Sequence, residues 1–149
     1  MFIFANKDNI NFFEEYILHD DVYGLFEPNT KKEDFKLFTT PSLFILGYTI
    51  GEDNLNGVLV CEIRSNYYIN FHFLMHKKHR ENKYNMMRDF ESFIKQNFDV
   101  RKLTCEFPAI YDNLKFAIEK AGYNFQGLNE KSYNLHGKIL DQLIYGKVL

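Results

Sequence analysis

His72, Lys77, Lys78, Arg80 and Lys83 fall close together within Tyr68–Asn97, and their side chains move protons or bind anions. Histidine has a reference pKa near neutrality, which suits it to act as a general base toward an amine. Arginine offers a planar fork of donors to phosphate oxygens. Basic residues at a helix start add to the unpaired amides and favourable dipole already there, which makes such a loop a cradle for a diphosphate. Each residue also has a plainer reading. His72 is equally a hydrogen-bonded core histidine, and Arg80 a member of a solvated basic loop. Glu62 and Glu106, in or at the end of strand-like segments, can position an amine or hold a water in a proton relay. Tyr111 and Asn113 stand at the start of a helical pattern, where Asn113 also serves as simple capping chemistry. His76 and His79 show no metal-ligand spacing with Cys61 or Cys105, so no metal is expected.

The elements that must position these groups are legible from periodicity. Tyr68–Met75 alternates as a strand, with Ile69, Phe71, Phe73 and Met75 on one face and Asn70, His72 and Leu74 on the other. A polar, basic loop follows, His76–Asn85. Met86, Met87, Phe90, Phe93 and Ile94 then predict a helix over Met86–Asn97. Upstream, Phe2–Phe4 reads as a short strand and Ile10–Leu18 as a helix capped by Asp8 or Asn9. Glu27-Pro28 reads as a helix stop, and Asp34–Phe38 as a further helical turn. Ser42–Ile50 and Leu55–Arg64 read as strands joined by a turn at Gly51–Asn54, with Gly57 marking a bulge or a close approach. With Tyr67–Met75 they form an antiparallel meander. Downstream, Arg101–Phe107 is a strand ended by Pro108. The intervening helix makes it parallel to its predecessor. Asp112–Ala121 is helical with Gly122 as its stop. Two closing strands run from Tyr123 to Leu128 towards Tyr133, and over Ile139–Val148.

Length and composition set the bounds. A chain of 149 residues without repeat or linker predicts one domain, 1–149. A net charge of −2 gives no field to attract nucleic acid or anionic lipid. Backbone contact through Lys77, Lys78, Arg80, Lys83 and Arg88, with Tyr84 for stacking, therefore ranks last among the readings. Two cysteines in apolar segments suit buried, reduced thiols. No apolar run approaches the ~20 residues of a membrane span, and the N-terminus lacks a secretion signal. A soluble, cytoplasmic protein is expected.

This order of elements resembles the GCN5-related N-acetyltransferase family over roughly Leu43 to Leu149. The strand ending Phe73-Leu74-Met75 and the following HKKHRENKYN are similar to the family's acetyl-CoA strand and pyrophosphate loop. Arg80 falls where the Arg/Gln-x-x-Gly-x-Gly/Ala pattern begins. AIEKAGY and the ending GKILDQLIYGKVL resemble the end of its second long helix and its last strand. His72, Arg80, Glu106-Phe107-Pro108 and Asn113 resemble a branch found among bacteriophage proteins. Two departures stand out. Lys83 and Asn85 replace the loop glycines, and the helical tyrosine that often serves as general acid has no counterpart, Tyr111 being the nearest phenol upstream.

The resemblance implies an α+β fold. It would have a mixed sheet of six to seven strands, mostly antiparallel with one central parallel pair, flanked by helices. It implies direct transfer of an acetyl group from acetyl-CoA to an amine of a small molecule or protein, without a metal, and leaves a homodimer open. Residues implied for the cofactor are Phe73, Met75, Arg80, Glu81, Asn82, Lys83, Tyr84, Asn85 and Asn113; for catalysis, His72, Glu62 and Tyr111. The missing glycines and tyrosine fit a second reading, a non-catalytic module on the same fold that binds acyl-CoA or serves as a phage-associated interaction protein.

Overall fold

A computed structural model describes residues 1–24, 31–51 and 54–149. The Glu27-Pro28 stop and part of the Gly51–Asn54 turn lie outside the described residues. The chain runs β1 (Phe2–Phe4), α1 (Ile10–Leu18), α2 (Asp20–Tyr23), a 3-10 turn (Lys32–Asp34), β2 (Leu43–Thr49), β3 (Leu55–Ser65) and β4 (Tyr68–Leu74). A 3-10 segment (Lys77–Asn82) leads into α3 (Lys83–Asn97), followed by β5 (Lys102–Pro108), α4 (Asp112–Lys120), β6 (Asn124–Leu135) and β7 (Lys138–Val148).

The strands form one seven-stranded sheet in the order β1-β2-β3-β4-β5-β7-β6. Every pairing is antiparallel except β4 with β5. The alternation read from β4 explains the two cores. Ile69, Phe71 and Met75 join Leu59, Cys61, Leu103, Cys105 and Phe107 on one face, covered by Met86, Met87, Phe90 and Ile94 of α3 and Ile118 of α4. The other face carries Ile45, Leu55 and Val58, covered by Phe13 and Ile17 of α1, with Leu74 packed alongside. Cys61 and Cys105 are both free and buried, and both pair in register with Phe71, from opposite sides.

Gly57 is a close approach, since a Cβ there would lie 2.6 Å from Met86 Sδ. A register shift lies in the same stretch, between Tyr48 and Thr49 on the facing strand. Asn9 sits at the start of α1, but its side chain does not cap the helix; it donates to the Phe4 carbonyl instead.

Two expectations change. The helical turn at Asp34–Phe38 is confined to Lys32–Asp34; Phe35 is extended and no helical turn follows it through Thr39. The helix expected from Met86 begins at Lys83, because the loop before it is already wound as 3-10 helix and passes directly into α-geometry.

Candidate active site

The parallel pairing of β4 and β5 covers only Tyr68–Phe71 and Lys102–Cys105. Both strands continue past that point, β4 to Leu74 and β5 to Pro108. Beyond Phe71, β4 is paired only with β3, so its other backbone edge faces an opening. The opening is a cleft of about 880 Å³, the size of a small-molecule site. His72, Phe73, Met75, Arg80, Lys83, Glu106, Tyr111 and Asn113 all line it.

The polar groups belong to one sheet face. Register places Glu62 opposite Asn70, and Asn70 opposite Thr104. Thr104 Oγ1 lies 2.9 Å from Asn70 Oδ1 and 3.0 Å from the Tyr68 hydroxyl. A hydroxyl has one proton and Asn70 Oδ1 can only accept, so Thr104 donates to Asn70 and the Tyr68 phenol donates to Thr104. This orients the Asn70 amide, whose Nδ2 then donates to His72 Nε2 at 3.3 Å. Thr104 and Asn70 are buried, so the network is shielded and specific. Glu106 accepts from Asn129 Nδ2 at 2.9 Å.

His72 is open to water in the cleft yet ringed by protein atoms, and this desolvation lowers its pKa below 6.5. The Glu106 carboxylate, the Glu106 backbone and Glu62 pull the other way but do not overcome it. Its imidazole is therefore neutral at pH 7, as a base must be. Tyr111, the residue before α4, is raised by desolvation, with the positive charge of Arg80 opposing.

The remaining expected residues divide. Arg80 Nη2 donates to the Asp21 carbonyl at 3.2 Å, and Lys83 Nζ to the Arg80 carbonyl at 3.2 Å. Glu81, Asn82, Tyr84 and Asn85 do not border the cleft, and Tyr84 lies under Lys120 Nζ. Glu62 stands on the His72 face but outside the cleft lining, paired to Arg64 at 2.8 Å. The glycine-free loop has a local explanation. Asn82 (φ −84°) and Lys83 (φ −56°) are right-handed, and Asn85 lies within α3, so none of these three positions needs glycine. Sequence reasoning missed Thr104 and Asn129 as partners of the site, and Phe35, Leu37, Tyr133 and Gln142 as cleft walls.

His72, His76 and His79 are all lowered, with burial the largest cause in each. Around 6.5 the folded chain thus binds fewer protons than the unfolded one. The stability from these groups is full above that value and is lost as pH falls through the lowered folded values. Urea midpoints should decline between pH 7 and pH 5, and His72→Gln should flatten part of the decline.

No family sequence model matches the chain, and no curated protein matches it in sequence. Solved structures match its shape. The spermidine N-acetyltransferase of Vibrio cholerae, in complex with CoA and spermine, superposes with a TM-score of 0.81 at 9% identity, covering 99% of this chain and 94% of that one. An N-acetyltransferase from Staphylococcus aureus Mu50 gives 0.75 at 8% identity, covering 99% and 96%. A protein provisionally described as a phosphinothricin N-acetyltransferase gives 0.74 at 16%, covering 100% and 98%. With one parallel pair in a seven-stranded sheet, a cleft where that pair parts, and nearly complete superposition in both directions, this chain has the fold of the GCN5-related N-acetyltransferases.

Proposed function

We propose that the chain is an acetyl-CoA-dependent N-acetyltransferase that transfers the acetyl group directly to an amine. The observation that carries this reading is the interrupted parallel pair. Its free β4 edge, two basic side chains and a helix start lie along one cleft, with His72 and Glu106 on the walls. The residues fit the cofactor: the Arg80 and Lys83 side chains suit its diphosphate, and the unpaired β4 backbone suits its amide-bearing arm. When bound, acetyl-CoA supplies the electrophilic thioester carbon.

Backbone N–H groups at the Phe73–Met75 end of β4 stabilise the charge that develops on the thioester oxygen. His72 Nε2 takes the amine's proton as the C–N bond forms, once the amine displaces the long Asn70 contact. The Glu106 and Glu62 carboxylates stabilise the imidazolium so produced. Tyr111, on the cleft wall, would return a proton to the departing sulfur. The apolar Phe35, Leu37, Leu43, Ile45 and Val60 line the same cleft and would receive the apolar body of the acceptor.

Acetyl-CoA at 100 times its dissociation constant should raise stability by about 2.7 kcal/mol, and a panel of primary amines should release free CoA thiol. Stabilisation without thiol release for any amine would leave a binding module; neither effect would remove the reading.

A further inference from the structure

We propose that His19, Asp21 and His76 form a binding site for a divalent transition-metal ion, zinc by its donor set, where α1–α2 meets the loop after β4. The site is separate from the acyl-transfer reading and does not depend on it. Cysteine partners for His76 are absent from its surroundings; its partners come instead from the N-terminal segment, which sequence spacing did not join to it. One donor atom from each of the three residues lies within 4.8 Å of the other two. It is the single such group among the described residues. Metal–ligand bonds of about 2.0–2.2 Å put tetrahedral donors about 3.4 Å apart, so the side chains must close by roughly an ångström. His19 is exposed and Asp21 half-buried, so both side chains have room to turn.

The third donor is held in place. His76 is 8% exposed. Its backbone N–H donates to the Tyr16 hydroxyl at 3.1 Å, and its ring packs 4.2 Å from both the Tyr16 and His19 rings. Asp21 is anchored by its carbonyl, which accepts from Arg80. The competing interaction is weak: His19 Nδ1 accepts from the Asp21 amide at 3.3 Å. A metal at either ring nitrogen forfeits little there. Two cations are adverse neighbours, Lys78 on the same small cleft and the Arg80 guanidinium at the Asp21 carbonyl, and Glu15 on that cleft opposes them. His19 and His76 line this cleft of about 490 Å³ together with Asn56 and His79, which leaves room for a water as fourth ligand, and Asp21 reaches the two imidazoles from beside it. Two imidazoles and a carboxylate favour zinc, cobalt or nickel over magnesium or calcium, which take oxygen ligands. An ion here would tie two segments far apart in sequence into one unit.

The test uses the full chain stripped with chelator and titrated with Zn²⁺ by calorimetry and with Co²⁺ by visible absorption. One ion per chain in the micromolar range, a cobalt spectrum of low coordination number and a raised thermal midpoint are expected, with no competition from Mg²⁺. His19→Ala gives up only the long cap bond to the Asp21 amide, and Asp21→Asn keeps the side chain's size and shape, so the fold should persist. Each should weaken zinc by about tenfold or more, while the exposed His136→Ala should not. No saturable micromolar binding in the parent chain, or unchanged affinity in either His19→Ala or Asp21→Asn, would overturn the proposal.

Discussion

Replacing His72 with glutamine should slow acetyl transfer ~10²–10⁴-fold, the usual share of general acid–base catalysis, and leave acetyl-CoA affinity unchanged. The geometry separates the two effects. His72 shares its sheet face with Asn70, Val60 and Glu106, whereas the diphosphate end of the cleft belongs to Arg80 and Lys83. Glutamine keeps a polar group beside the Asn70 amide but cannot take a proton. The parent rate should rise with pH through the lowered histidine value and then level, because desolvation holds the folded pKa below 6.5 and the neutral ring is the active form. That step should vanish in the variant. A variant that keeps its rate per folded molecule, with the same pH profile, would place the proton elsewhere, and Glu106, the carboxylate that acts more strongly on the ring than Glu62, is where it would go.

The strand face that His72 occupies followed from a pattern one strand long, which left a cleft base and a core histidine equally open. Its alternation with Phe71 and Phe73 fixed its face, because a residue period of two admits no other. The meander, the crossover and the parallel pair were legible for the same reason: each strand buries one set of apolar side chains and the helix between β4 and β5 rules out a hairpin. What escaped has equally physical causes. The start of α3 carries Lys83, Tyr84 and Asn85, with no apolar stripe, so nothing in the pattern distinguished a helical first turn from a loop. β6 is exposed or half-buried along its whole length, which removed the alternation that would have carried it to Leu135. The Tyr68–Thr104–Asn70–His72 chain depends on the register of β4 against β5, with partners 34 and 36 residues apart, and no local signal encodes such a pairing. The Phe35–Phe38 wall belongs to a segment without periodicity.

Arg80→Ala should weaken acetyl-CoA binding by roughly 1.5–3 kcal/mol, the range for a charged hydrogen bond. That is about 10- to 150-fold in dissociation constant. The side chain is half-buried at the cleft wall. Among the described residues its guanidinium donates to a neutral acceptor, the Asp21 carbonyl at 3.2 Å, rather than to a carboxylate. Its charge is therefore not neutralised by that partner and remains available to an anion, while the carbonyl fixes where the guanidinium sits. That bond is long and its guanidinium half-open to water, which takes over the donors when the contact is lost, so thermal midpoints of the free variant should fall only slightly. Acetyl-pantetheine, which has the thioester but no diphosphate, separates positioning from stability. Its binding should be the same in parent and variant, whereas acetyl-CoA should lose its advantage over it. The advantage in the parent should also shrink with added salt, since the contact is charged and partly open to solvent. If Arg80→Ala binds acetyl-CoA as tightly as the parent, the 3-10 turn and α3 start do not hold the diphosphate, and the cofactor assignment of this loop fails even if transfer activity is found.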